Sequence, residues 1–192
     1  YHITGEDYNI QKDKLAQVGF TMDEQVMYLE NLLKMIGLVK EFPKFVVISG
    51  HGSVSDNNPF ESALDCGACG GSISLPNARA LCMIGNKHDV RAKLREKGID
   101  IPQKVKFLPA LHTTTTDEMT FYDTDTLTTK DLADFHRMEQ DFRNAALASR
   151  EERVAVLPNA NKQEDLFIKT MDWSEPRPEW GLAKNMGAFA GP

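Results

Sequence analysis

The sequence predicts an α/β fold: a small parallel or mixed sheet flanked by helices. Two observations predict it. Segments of helical spacing alternate with short apolar, β-branched runs in the order helix, strand, helix, strand, helix, an order that packs helices onto strands. The run Phe45-Val46-Val47-Ile48 also leads into Gly50-His51-Gly52 and then into a glycine-rich loop, Cys66-Gly67-Ala68-Cys69-Gly70-Gly71, before the next helical pattern. Open α/β sheets bind ligands there, outside the carboxyl ends of their strands.

Each element has its own justification. Residues 1–20 have weak periodicity. Thr21 followed by Glu24 forms a capping box, and Val26, Leu29, Leu33 and Ile36 recur at helical spacing, so 22–38 is predicted as an amphipathic helix. Pro43 interrupts the chain, and 44–49 is the continuous apolar run of a buried parallel strand. Residues 50–71 read as a loop with turn chemistry at Asp56-Asn57-Asn58-Pro59. A helix is predicted over 77–96, with Ala80, Ile84, Val90 and Leu94 near one face and Gly98 as its stop. Residues 105–111 read as a second strand, which 113–122 extends or turns back as a hairpin. A long helix follows over 129–153 with Thr129 as its cap, then the apolar run 154–157. Residues 1–157 thus form the α/β segment, and 158–192, rich in proline and holding both tryptophans, a long C-terminal loop or linker.

Composition narrows the function. A chain of 192 residues suits one domain and a sizeable core. A net charge of −6 with no lysine- or arginine-rich block argues against a nucleic-acid partner. No run approaches the roughly 20 apolar residues of a membrane span; the best stretch, 32–39, is short and broken by Lys34. No signal-peptide pattern is present. The first residue is Tyr1 rather than Met, and the tail after Trp180 has no element to finish it, so the chain is expected to be a piece of something longer. The three cysteines, Cys66, Cys69 and Cys82, make a poor disulfide framework and a plausible metal or redox feature.

Two residue types in the strand-to-helix region suit zinc. A neutral imidazole nitrogen and a thiolate are both zinc ligands. His51 stands between two glycines, which admit close approach; the alternative is a histidine that caps the strand end. Cys66 and Cys69 form one Cys-x-x-Cys near the backbone N–H groups of a helix start, where thiols ionise more easily. A zinc ribbon needs a second such pair, which the sequence lacks. Cys82 falls inside a helix and reads as a core residue. His88 and His136 lie in charged helical segments and read as solvated. His112 ends the second strand on the same sheet edge as His51 if the strands are parallel; it either faces the same cleft or caps residues 113–116, the reading preferred here. Asp65 is an outer partner of Cys66 or a turn residue, and Arg177, Glu179 and Trp180 read as a salt bridge and aromatic plug.

At Gly50-His51-Gly52, Asn57-Asn58-Pro59-Phe60-Glu61-Ser62, Asp65-Cys66-Gly67-Ala68-Cys69-Gly70-Gly71, Pro76-Asn77-Ala78-Arg79-Ala80 and Arg177-Pro178-Glu179-Trp180-Gly181-Leu182-Ala183, the sequence resembles the DabA family. The resemblance implies the large subunit of an energy-coupled inorganic carbon uptake system, peripheral at the cytoplasmic face of the cell membrane. Its partner would be the membrane subunit DabB, which is similar to antiporter-like subunits of respiratory complex I. It further implies a β-carbonic-anhydrase-like domain with a Zn2+ site. In the family, zinc is held by a Cys-x-Asp motif on an earlier strand and by a later histidine and cysteine, which match His51 and Cys66. β-Carbonic anhydrases place that later pair three apart, whereas Cys66 follows His51 by fifteen positions, so the intervening loop is an insertion. The Cys-x-Asp-x-Arg segment is absent from this sequence. Half of the zinc site and the Asp-Arg pair would therefore lie elsewhere in a longer protein.

The implied activity is zinc-assisted hydration of CO2 to bicarbonate, coupled to cation flow in the membrane partner. No such activity, and weak or no zinc binding, is expected of these 192 residues alone. A thiol redox protein using Cys66 and Cys69 is one alternative, discriminated by whether Cys69→Ser matters. A non-catalytic scaffold segment of a membrane complex is another, discriminated by metal independence. A nucleotide-binding loop is disfavoured, because Gly67, Gly70 and Gly71 lack the dinucleotide spacing and no Walker lysine follows.

Overall fold

A computed structural model describes residues 19–54, 69 and 71–172. The fold is mixed α/β. Strands β1 (Phe45–Gly52), β2 (Lys106–Thr113) and β3 (Glu118–Phe121) form a three-stranded sheet in the order β1-β2-β3. β2 and β3 are antiparallel, with Ala110 opposite Phe121 and His112 opposite Met119. β1 runs parallel to β2: the Lys106 N–H donates to the Lys44 carbonyl at one end and the Thr114 N–H to the Gly52 carbonyl at the other. The sheet is therefore mixed, and 113–122 is the hairpin rather than a strand extension. Two compact units divide the chain, one of residues 1–46 and 80–107, the other of 47–79 and 108–192.

In the first unit, helix α1 (Met22–Met35) starts where the sequence places it. Glu24 accepts from the Thr21 N–H and hydroxyl at 2.8 Å, and the Glu24 N–H donates back to Thr21 Oγ1. Val26, Leu29 and Leu33 are buried, each contributing on the order of 1.5–3 kcal/mol relative to exposure. Ile36, expected on that face, is instead the exposed C-cap. The helix packs along α3 (His88–Glu96), whose inner positions are Val90, Arg91 and Leu94. Gln25–Lys87 and Asp23–Lys93 contacts, each 2.8 Å, line the seam.

The single helix predicted over 77–96 is two helices, α2 (Leu75–Asn86) and α3, broken at Lys87 in an extended conformation. The cause lies in residues 85 and 86. The Asn86 amide pairs with the main chain of Phe107, donating to its carbonyl at 2.8 Å and accepting from its N–H at 3.0 Å. Arg91, buried, then sends its guanidinium to the carbonyls of Gly85, Pro102 and Val105. Helical periodicity continues across the break, so it carried no sign of these tertiary bonds.

Gly85 has a steric reason. A Cβ there would stand 2.8–3.0 Å from three ring atoms of the buried Phe107. Gly85→Ala gains about 1 kcal/mol of helix propensity but overpacks a filled core, which costs about 1–3 kcal/mol. The net expected effect is a lower melting temperature of the protein; an unchanged or higher one would contradict the packing argument.

In the second unit, helix α4 (Thr129–Val154) packs on β3. Phe121 meets Phe135 and Phe142 edge-on at ring-centroid distances of 5.4 and 5.5 Å, worth about 0.5–1.5 kcal/mol per pair beyond burial. The cap is Thr128 rather than Thr129: the Asp131 carboxylate accepts from the Thr128 hydroxyl at 2.7 Å and N–H at 3.2 Å. A final helix, α5 (Glu164–Met171), occupies part of what read as a loop. At eight residues it is too short to announce itself; it is held by Leu166, which is buried, and by Asp165, which accepts from the Asn161 and Lys162 N–H groups. Among the described residues, no helix is long and apolar enough to cross a membrane.

Candidate functional site at the end of the first strand

β1 extends three residues further than its apolar run predicts, so Gly50, His51 and Gly52 belong to the strand and not to the loop. Alternation along the strand then buries the two glycines and exposes His51. A Cβ at Gly50 would lie 2.6 Å from Ser74 Oγ and 2.9 Å from the Ser74 carbonyl carbon. Only a residue with no side chain lets the strand end come this close to the segment that opens α2.

That closeness anchors His51 by its main chain. Its N–H donates to Ser74 Oγ, and its carbonyl accepts from the Ser74 N–H at 3.0 Å. The Ser74 carbonyl in turn accepts from the N–H groups of Asn77 and Ala78, the first turn of α2. One serine thus ties the histidine to the helix start. The His51 ring nitrogens make no hydrogen bond among the described residues, and a neutral imidazole nitrogen is a zinc ligand by type.

Strand exit is secured by the threonine run. The Gly52 carbonyl accepts from the Thr114 N–H at 2.8 Å and hydroxyl at 3.2 Å, and the Thr115 hydroxyl bridges the Val54 N–H and carbonyl. The same turn delivers His112. Its ring lies 6.4 Å from that of His51, edge to face at 68°, so the two histidines do share the sheet edge. His112 does not cap the threonines; its Nε2 bonds Asp117 Oδ1 at 3.3 Å.

Asp117, in the left-handed region at φ 58°, is the hub of the turn. Its other oxygen accepts from Arg153 Nη1 at 2.6 Å and Ser149 Oγ at 3.0 Å. Arg153 also donates to the Thr115 carbonyl, and Arg150 to the Thr116 carbonyl, both at 2.9 Å. Burial pushes the Asp117 carboxyl up, but the hydrogen bonds from His112, Arg153 and Ser149 and the Arg153 charge outweigh it and bring it down from 3.8 to about 2. Sequence reading missed Ser74, Asp117, Ser149 and Arg153. The partners of Asp117 on α4 lie 32 and 36 residues away, and no local pattern links them.

Cys69 sits beside the start of α2, where Asn77 Nδ2 donates to its sulfur at 3.2 Å. Cys82 is a buried core residue, as expected, and His88 and His136 are exposed. Cys66, Asp65, the Asn57–Ser62 motif and Arg177, Glu179 and Trp180 lie outside the described residues. Among the described residues, no group of three or more His, Cys, Asp or Glu could hold a metal ion. His51 fits the role of one zinc ligand by the chemistry of its exposed imidazole.

Comparison with known proteins is decisive at the level of family. The family described as "Probable inorganic carbon transporter subunit DabA" matches residues 3–192. The chain belongs to the DabA family. DabA proteins similar to it include those of Hydrogenobaculum and Sulfurihydrogenibium azorense, each 50% identical over 191 residues, covering 100% of this chain and 20% of the relative. DabA1 of Halothiobacillus neapolitanus is 43% identical over 199 residues, covering 100% of this chain and 19% of the relative. The chain thus spans about a fifth of the length of these DabA relatives. No solved structure matches it.

Proposed function

We propose that this chain is the part of an inorganic carbon transporter subunit that supplies the histidine and one cysteine, His51 and Cys66, of a zinc site. The family match across residues 3–192 carries this reading. The exposed His51 ring, with no bonded nitrogen among the described residues, is compatible with it. The remaining ligands would come from another part of the full-length subunit, within a β-carbonic-anhydrase-like domain. The subunit would sit on the cytoplasmic face of the membrane against a DabB-like partner.

The residues divide the work simply. His51 offers an imidazole nitrogen from a strand end that Ser74 holds in place. Cys66 would offer a thiolate. A zinc ion held by these residues would supply the Lewis acidity for activating water near neutral pH. That chemistry would serve hydration of CO2 to bicarbonate and a proton, and cation flow through the membrane partner would make the uptake vectorial.

Elemental analysis of the full-length subunit beside the isolated 192-residue chain tests this. Zinc is expected in the former at one equivalent per site, and little or none in the latter. A full-length protein without zinc would overturn the zinc assignment. Chelator-resistant, stoichiometric zinc in the isolated chain would overturn the claim that it carries only part of the site.

A further inference from the structure

We propose that His112, braced by Asp117, is a positioning residue that orients the imidazole of His51. This rests on the reading of His51 as a zinc ligand. His51 is fixed by its main chain to Ser74, but among the described residues no hydrogen bond reaches its ring. An exposed side chain of this kind samples several rotamers, and ordering it upon binding costs free energy. What the ring does meet is His112, edge to face, with centroids 6.4 Å apart, inside the range favoured by aromatic pairs.

His112 is itself oriented. It stands near the end of β2, opposite Met119, and its Nε2 is directed at Asp117 Oδ1. An ionised carboxylate only accepts hydrogen bonds, so Nε2 carries the proton. Asp117 is held by Ser149 and Arg153, and Arg153 is pinned to the Thr115 carbonyl. A chain of contacts thus runs from α4 through Asp117 and His112 to the ring of His51. A ring contact of this kind favours one placement of a metal ligand before the metal arrives, and the loss of an aromatic pair weakens binding about 2- to 10-fold.

Competitive zinc titration and the visible spectrum of the cobalt-substituted full-length protein test the proposal, neither of which requires turnover. His112→Ala is expected to weaken zinc binding about 2- to 10-fold and to shift the cobalt bands, with the melting temperature nearly unchanged because His112 is partly exposed. His112→Phe, which keeps a ring against His51, is expected to recover part of the loss. Asp117→Asn is expected to act in the same direction as His112→Ala. Wild-type zinc affinity and cobalt spectrum in folded His112→Ala would overturn the positioning role alone. Absence of zinc from the wild-type protein would overturn the zinc reading and this role with it.

Discussion

Replacing His51 or Cys66 with alanine is expected to leave the full-length protein without stoichiometric zinc and to abolish bicarbonate accumulation in cells that depend on it. Binding free energies of structural zinc sites run to about 10–16 kcal/mol. Spread over four ligands, that is roughly 3–4 kcal/mol per donor, so one lost donor weakens binding about 100- to 1,000-fold. The outer-partner variants at His112 should lose less, and that order separates a ligand from a residue that orients one. For His51 the structure also supplies a control. The side chain is exposed, and the bonds to Ser74 are made by the main chain. Alanine keeps both, so His51→Ala should fold with a near-normal melting temperature while losing the metal. Retained zinc and retained uptake in either variant would refute the ligand assignment.

Asp117→Ala is expected to destabilise the protein by about 3–5 kcal/mol, because it strands a buried cation. Arg153 is nearly inaccessible, with 7% of its side chain exposed, and its Nε has no hydrogen-bond partner among the described residues. Without the carboxylate, the guanidinium keeps only the Thr115 carbonyl among its described partners. On a total stability of about 5–15 kcal/mol such a loss is large, and calorimetry should record a fall in melting temperature of about 10 °C. A change equivalent to less than about 1 kcal/mol would refute the argument.

Acid provides an independent readout of the same carboxylate. Its folded value lies near 2, below the ordinary 3.8. The stability it contributes, about 2 kcal/mol, is therefore complete above the ordinary value and is lost as pH falls through the folded one. Asp117→Asn removes that ionisation. The stability difference between wild type and Asp117→Asn should shrink as the pH is lowered through this window; a difference that stays constant would count against the carboxylate's role.

Much of the architecture was legible because it rests on local physics. The Thr21–Glu24 capping box, the apolar stripe of α1, the β-branched run of β1 and the long helix α4 all follow from neighbours within a few residues, and all are present in the fold. The errors fall where distant residues intervene. Lys87 breaks a helix that periodicity continues, because Asn86 pairs with Phe107 and Arg91 gathers three carbonyls, one from the end of α2 and two from the stretch before β2. α5 forms on eight residues because a buried leucine holds it.

The candidate site divides the same way. From the sequence by itself came the α/β class, the Gly-His-Gly strand end, and the residue types that suit zinc, since motif chemistry and spacing are written in the chain. Tertiary structure alone decided what surrounds His51. It put Ser74 against Gly50, set the His112 ring beside that of His51, and closed the Asp117 turn with Ser149 and Arg153 from α4. Those partners meet through sheet pairing and helix packing over 23 to 61 residues of chain. Contacts of that range leave no periodicity or motif behind, which is why only the folded chain reveals them.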